Sequence, residues 1–328
     1  MSRFRWRAKS TTMFYGAVGA SFFAMPLHAA DNTPYWTKGI GDYAPAVDGV
    51  NGKIEPLGGR IANRSLVGSQ GAVTLPVSGN LGVQIDAAFG SLDRRGFGNI
   101  AGHFFWRNPG KGLVGLYSSY TRWDQFGGAY VAQFSAEGEY YSGRWTVQGI
   151  AGVETGNAAS TSFSTTTIIQ PAGGFFGVPG LINTNTFTSV YDVKTRFFDQ
   201  INVKYYLTDD WVGYVGHRYL GGKNALALGS EYAFPLASRF KASAFFEARV
   251  GEGDFHGIWG GLKFYFGQKD KPLIARHRQD DPNIWSADTL FSIVNSLRNS
   301  GSSSSTPFCT PPQTLQPDGS CEWLGSPG

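Results

Sequence analysis

Long hydrophobic runs are the first thing this chain of 328 residues lacks. Beyond Ala30 no stretch approaches the roughly 18 consecutive apolar residues of a membrane-crossing helix, so the mature chain has no transmembrane helix. Charge is also scarce: 16% of residues are Asp, Glu, Lys or Arg, and the net charge is +4. With no basic block interleaved with aromatics, nucleic acid is excluded as a partner. Only two cysteines occur, Cys309 and Cys321, and their neighbourhood offers too few ligands for a metal site, so no metal and no cofactor is expected. Leu-rich helical segments are nearly absent, unlike an average soluble α/β enzyme.

What the chain has instead is glycine and aromatic residues: 45 Gly, 25 Phe, 15 Tyr and 9 Trp. That suits a sheet protein with many turns and a partly apolar exterior. The first residues form a basic start (MSRFRWRAKS), a short apolar run (TTMFYGAVGASFFAMPL) and small residues (HAA) before Asp31. This is the layout of a secretory signal peptide over 1–30, followed by an N-terminal periplasmic segment over 31–45. In an exported chain two thiols close in sequence are expected to pair, which gives a Cys309–Cys321 disulfide.

From Ala46 to Gly267 the dominant period is two. In RFKASAFFEARV, Phe240, Ala242, Ala244, Phe246, Ala248 and Val250 share one face; Lys241, Ser243, Phe245, Glu247 and Arg249 share the other. Such segments are predicted at 47–57, 67–76, 81–91, 97–107, 112–122, 128–141, 144–155, 195–207, 211–219, 223–234, 239–250 and 256–266. They run to about ten residues, enough to cross a bilayer at a tilt, and longer than the five or six usual in soluble sheets. Their polar faces carry charge in mid-strand, and their apolar faces are aliphatic in the middle and aromatic toward the ends. The expected fold is all-β: an antiparallel transmembrane β-barrel of about 12 strands over 46–267. A sheet in hydrocarbon must close on itself, because every backbone polar group has to be paired internally. Tight connections (PVSGN, NPGKG, YSGR, LTDDW, PLASR) alternate with longer or more variable ones: the segment after Gly58, LDRRGF, DQFGG, the insertion 156–194, LGGKN and GEGDF. This places both barrel ends on the periplasmic side.

Alternation assigns to the lumen Lys53, Glu55, Asp86, His103, Arg107, Glu137, Glu139, Arg144, Glu154, Arg196, Lys204, Glu231, Lys241, Glu247, Arg249 and Lys263. Acids and bases are nearly balanced. Such a set either pairs across strands and stiffens a narrow barrel, or lines a polar pore of weak ion selectivity. The insertion 156–194 either folds inward, with Phe175, Phe176 and Val178 at a constriction, or stays outside as an exposed loop. The histidines of the mature chain are His103, His217, His256 and His277, and no serine sits in a nucleophile motif, so no enzyme is expected. Catalysis would require His217 or His256 to meet an acid or a hydroxyl. NPGKG lacks the glycine spacing and Ser/Thr of a phosphate-binding loop.

GLKFYF resembles the assembly signal on the final strand of Gram-negative outer-membrane β-barrels, with Gly261, aromatic Phe264 and aromatic Phe266. GHFFWRNPGKGLVGLYSSYTRWD and EGEYYSGRWTVQGIAGVE are similar to porin-like barrels of alphaproteobacterial type. The resemblance covers roughly 46–267. It implies outer-membrane lipid and the barrel-assembly machinery as partners. It specifies function poorly, since this fold hosts pores, enzymes and adhesins. The signal ordinarily ends a chain; here 267–328 follow.

QKDKPLIARHRQDDPN reads as a polar linker, IWSADTLFSIVNSL as a helix and RNSGSSSSTP as a spacer. Ser286 is the candidate N-cap, and Leu290, Ile293, Val294 and Leu297 form the apolar stripe. The expected C-terminal extension is periplasmic, over 268–328. It hangs free, plugs or docks at the periplasmic mouth, or contacts a periplasmic partner or the cell wall. The expected function is a porin-like barrel in the outer membrane that passes small hydrophilic solutes. The alternative is a closed structural or adhesin-type barrel acting through its loops and tail.

Overall fold

A computed structural model describes residues 44–169, 179–237, 240–267 and 270–323. The expected signal peptide over 1–30 and residues 31–43 lie outside the described residues, as do Phe175, Phe176 and Val178. Twelve antiparallel strands close into a barrel. They are β1 (Asn51–Ile61), β2 (Arg64–Ser78), β3 (Leu81–Leu92), β4 (Arg95–Asn108), β5 (Gly112–Trp123), β6 (Ala129–Ser142), β7 (Trp145–Gly156), β10 (Arg196–Thr208), β11 (Trp211–Leu220), β12 (Lys223–Ala237), β13 (Phe240–Gly251) and β14 (His256–Phe266). The strand count and the alternation are as the sequence predicts. The seam is β1 on β14, where Lys53 faces Tyr265 and Leu57 faces Gly261. A Cβ on Gly261 would lie 2.0 Å from the Pro56 carbonyl oxygen, so only glycine lets the two seam strands approach this closely.

We call the end where β14 terminates the closing end, and the opposite one the far end. The exterior is an apolar belt: Ile54, Ile85, Ile100, Val114, Phe134, Val215 and Leu262 are all exposed. Trp106, Tyr140, Trp145, Tyr205, Trp211 and Tyr232 ring it near the closing end, with Trp145 on Tyr205 at 4.7 Å and Trp211 on Tyr232 at 6.3 Å between ring centres. Phe89, Tyr120 and Phe197 ring it near the far end. An aliphatic band between aromatic girdles is the surface a bilayer requires of a barrel.

Connection lengths correct the sequence reading. Three far-end connections expected to be longer or more variable are two-residue turns, at 62–63, 93–94 and 221–222. Each holds both residues at positive φ: Ala62 and Asn63 (47° and 63°), Asp93 and Arg94 (53° and 63°), and Gly221 and Gly222 (62° and 77°). Paired left-handed residues match the twist of a hairpin, and neither Ala-Asn nor Asp-Arg announces that conformation as Asn-Gly would. β1 and β2 therefore extend through the stretch at 59–66 where no clean alternation is legible.

Where it is described, the insertion 156–194 forms strands of a separate sheet, the first of them almost wholly exposed; the expected constriction residues lie outside the described residues. β8 (Ala158–Ile169) and β9 (Gly180–Asp192) form an antiparallel hairpin, and β15 (Leu297–Phe308), from the C-terminal region, pairs along β9. This separate sheet has the order β15-β9-β8. Its base packs on the barrel rim, where the Tyr191 ring lies 5.3 Å from Trp123 and 5.2 Å from Phe126. Burial raises the Tyr191 phenol above its ordinary pKa. A short hairpin of β16 (Gln313–Leu315) and β17 (Cys321–Trp323) completes the sheet content. The Cys309–Cys321 disulfide is formed, with the two Cα atoms 5.6 Å apart.

Candidate functional site: a lumen filled by the chain's own tail

After β14 the chain turns into the barrel. Two short helices follow, α1 (Leu273–Gln279) and α2 (Ser286–Val294). Both are almost wholly buried. α1 sits at the closing end. Its Leu273 and Ile274 pack with Tyr206, Val212, Ala233 and Tyr265. The Ile274 N–H donates to the Asp209 carbonyl (3.0 Å) and the Leu273 N–H to the Asp210 carboxylate (2.9 Å), both in the turn between β10 and β11. Arg276 donates to the Gly267 carbonyl (2.8 Å), and Arg278 to that of Trp145 (2.7 Å). Lys271 bonds Asp280 (2.6 Å), Gln279 (2.9 Å) and Asp48 (3.3 Å).

The path then rises through the lumen. The Pro282 carbonyl accepts from Lys53 and from Gln84, each at 3.2 Å. α2 makes the strongest contacts. Asp288 accepts from Arg249 through both Nε and Nη2 (2.7 Å each) and from Arg218 Nε (3.0 Å), all three side chains being buried. Two guanidinium groups converging on one carboxylate satisfy a charge that would otherwise be costly in this interior. Ser286 donates to Asn99 (2.6 Å), Ser292 to Glu154 (2.6 Å), and the Thr289 hydroxyl lies 2.6 Å from that of Thr121. The other face packs Leu290, Phe291, Ile293 and Val294, with Phe291 4.5 Å from the Phe255 ring. At the far end Asn295 donates to the Leu220 carbonyl (2.9 Å). The Asp192 N–H then donates to the Ser296 carbonyl (3.2 Å), and β15 begins. The tail therefore enters at one mouth and leaves at the other.

Of the three ways the tail was expected to lie, the plug is the one residues 270–296 match, because their polar groups have partners on the barrel wall. The N-cap expectation is corrected. Trp285, not Ser286, occupies the N-cap position of α2, and Ser286 is its first helical residue. The predicted stripe of Leu290, Ile293 and Val294 is buried, with Leu297 packed against the same core.

The sixteen residues expected in the lumen are all buried or half-buried, and most are paired. Lys263 bonds Glu231 (2.9 Å) and Glu55 (3.5 Å); Arg107 meets Glu139 (3.7 Å), and Arg249 meets Glu247 (2.7 Å). His103 lies between Asp86 (3.0 Å) and Glu137 (2.7 Å). Arg144 with Asp209, Lys241 with Asp210 and Arg196 with Glu154 take the mouths. Lys204 reaches Asn283 at 3.5 Å. Among the described residues the space left beside Lys53, Glu55, Lys204, Glu231, Lys263 and His277 is a cavity of about 30 Å³, water-sized rather than solute-sized.

Arg218 is the residue the sequence reading missed. Trp211 belongs to the outer girdle, so strict alternation along β11 puts Val212 and Arg218 inside; that parity was the available signal. His217 consequently points outward. Its Nδ1 is 2.8 Å from Asp199 and its Nε2 is 3.3 Å from Asn224. An acid is thus in reach, yet its two ring nitrogens meet a carboxylate and an amide rather than a hydroxyl. Glu252, beside it, is held below the usual carboxylate range by hydrogen bonds from Asn224. The His256 ring meets the Gly253 carbonyl, in its own turn (3.3 Å). Phe264 and Phe266 of the assembly-signal pattern stand on β14 at the seam.

No family model matches the chain, and no curated protein does. Several solved structures are similar. An outer-membrane channel from Pseudomonas putida F1 is 9% identical over 69% of this chain and 98% of its own, with a TM-score of 0.35. The β-domain of the Bordetella autotransporter BrkA is 12% identical over 66% of this chain and 98% of its own (0.33). The Pseudomonas putida toluene transporter TodX is 9% identical over 69% of this chain and 93% of its own (0.32). The barrel assignment rests on the strand pairing above rather than on these likenesses.

Proposed function

We propose that this protein is a closed outer-membrane barrel of the adhesin type, which threads its own C-terminal tail through the lumen and displays it at the cell surface. The carrying observation is the path of residues 270–296, from the Gly267 carbonyl at the closing end to the Leu220 carbonyl at the far end. In barrels of this kind the chain ends lie on the periplasmic side, which makes the far end the extracellular one. The sheet of β8, β9 and β15 and the disulfide-closed tip then stand outside the cell.

Passive passage of small hydrophilic solutes, the other reading of the barrel, requires the tail to leave. The ion-paired lumen supports a packed interior over a waiting pore. The assembly-signal pattern at Gly261, Phe264 and Phe266 fits recognition by the barrel-assembly machinery before the tail is enclosed.

An epitope tag appended after Gly328 tests the display. Staining of intact cells by an antibody to the tag is the expected result. A tag reached only after the outer membrane is permeabilised would return the tail to the periplasm. Planar-bilayer conductance is the companion measurement: no steady step from the full chain, and a stable ohmic step from a chain ending at Gly267. A steady step from the full chain would establish a pore instead.

A further inference from the structure

Among the described residues the displayed sheet has two unpaired edges, and they differ in protection. β15 carries Arg298, Gly301 and Pro307. β8, AASTSFSTTTII, carries no charge, no proline and no glycine over its 12 residues, and all but Ala159 are exposed. Long neutral edges are what natural sheets avoid, using charges, prolines or bulges, unless the edge is meant to pair. An edge presents alternate unpaired N–H and C=O groups, which a second strand of matching length satisfies. β8 is also close to self-complementary. Reversed about Phe163, it sets Thr161 opposite Thr165 and Ser162 opposite Ser164, with the two Phe163 rings adjacent.

Direction selects the partner. β8 follows β7 with one residue between them and therefore runs away from the far mouth. Its 12 residues span roughly 40 Å at 3.4 Å per residue. Copies in one membrane point the same way and offer each other parallel edges. Copies in two facing membranes point oppositely and offer antiparallel edges, the slightly more stable pairing and one closed by a two-fold axis. We propose that β8 is a homophilic cell–cell contact: the β8 edge of one copy pairs antiparallel with the β8 edge of a copy on a facing cell. This rests on the tail and its sheet being displayed outside.

The test uses cells expressing the full chain and reads the settled, clumped fraction. Wild-type cells should clump. Cells with Thr161→Lys and Thr165→Lys should lose clumping, as should cells with Thr161→Glu and Thr165→Glu, since each places like charges opposite one another. Mixing the two variant populations should restore it, because lysines then face glutamates. Surface staining of the C-terminal tag accompanies every sample. Wild-type cells that stain but stay dispersed overturn the contact and leave display standing; persistent clumping in either variant alone also overturns it. Absence of staining in wild-type cells overturns display and the contact together. Should the variants fail to stain, a free peptide of residues 158–169 added to wild-type clumps decides: dispersal supports the contact, and intact clumps contradict it.

Discussion

Two adjoining pieces of the same tail are held in opposite ways. In α2 every turn is buried, and side chains do the holding: Asp288 by two arginines, Ser286 by Asn99, Ser292 by Glu154 and Phe291 by Phe255. In β15, which begins three residues later, the side chains from Arg298 to Thr306 are exposed, and the strand is held along β9 mainly by its backbone, with Asn299 and Ser305 bonding exposed side chains of β9. One segment is an anchor specified residue by residue. The other is an arm that needs only a backbone and small side chains. Barrels commonly face water inside; here the water-like partners come from the chain itself.

The comparison sharpens when each piece is altered in turn. Asp288→Ala should have the largest effect, since it strands Arg218 in the interior and strips Arg249 of its bidentate partner. Leaving a buried charge uncompensated costs about 3–5 kcal/mol; the expected readout is frequent opening to a conducting state in planar bilayers. Phe291→Ala should come next, at about 3 kcal/mol from lost burial and the cavity left behind, read as a lower denaturant midpoint for exposure of the tail to protease. Ser286→Ala removes one buried hydrogen bond and should cost about 1 kcal/mol by the same assay. Ser303→Ala in β15 should stay within about 0.5 kcal/mol. A β15 substitution as damaging as Asp288→Ala would break the distinction between anchor and arm.

The barrel was legible because strands of ten residues or more repeat the same inside-outside choice many times. A single misread residue cannot overturn such a pattern, and the predicted segments match the observed strands closely. Turns were less legible where left-handed backbone fell on Ala62 and Arg94 rather than glycine. The tail was the least legible. Lys271, Arg278 and Asp280 look like the charges of a solvated linker, because composition records polarity but not where the partners are. Lys271 meets Asp280 across the first helix, and Arg278 meets the Trp145 carbonyl across more than a hundred residues of sequence. α2 misleads similarly: an apolar stripe opposite Ser, Asp and Thr suggests one wet face, yet that face is answered by Asn99, Thr121, Arg218 and Arg249.

The most direct measurement places cysteines at Thr121 and Thr289, whose hydroxyls lie 2.6 Å apart between barrel wall and tail. Mild oxidation of the double variant in native outer membranes should join the two positions, detected as a fragment pair held together after cleavage between them and separated by reductant. A chain that shows no such link, while each cysteine alone is labelled by a soluble thiol reagent, would put the tail outside the lumen and contradict the account.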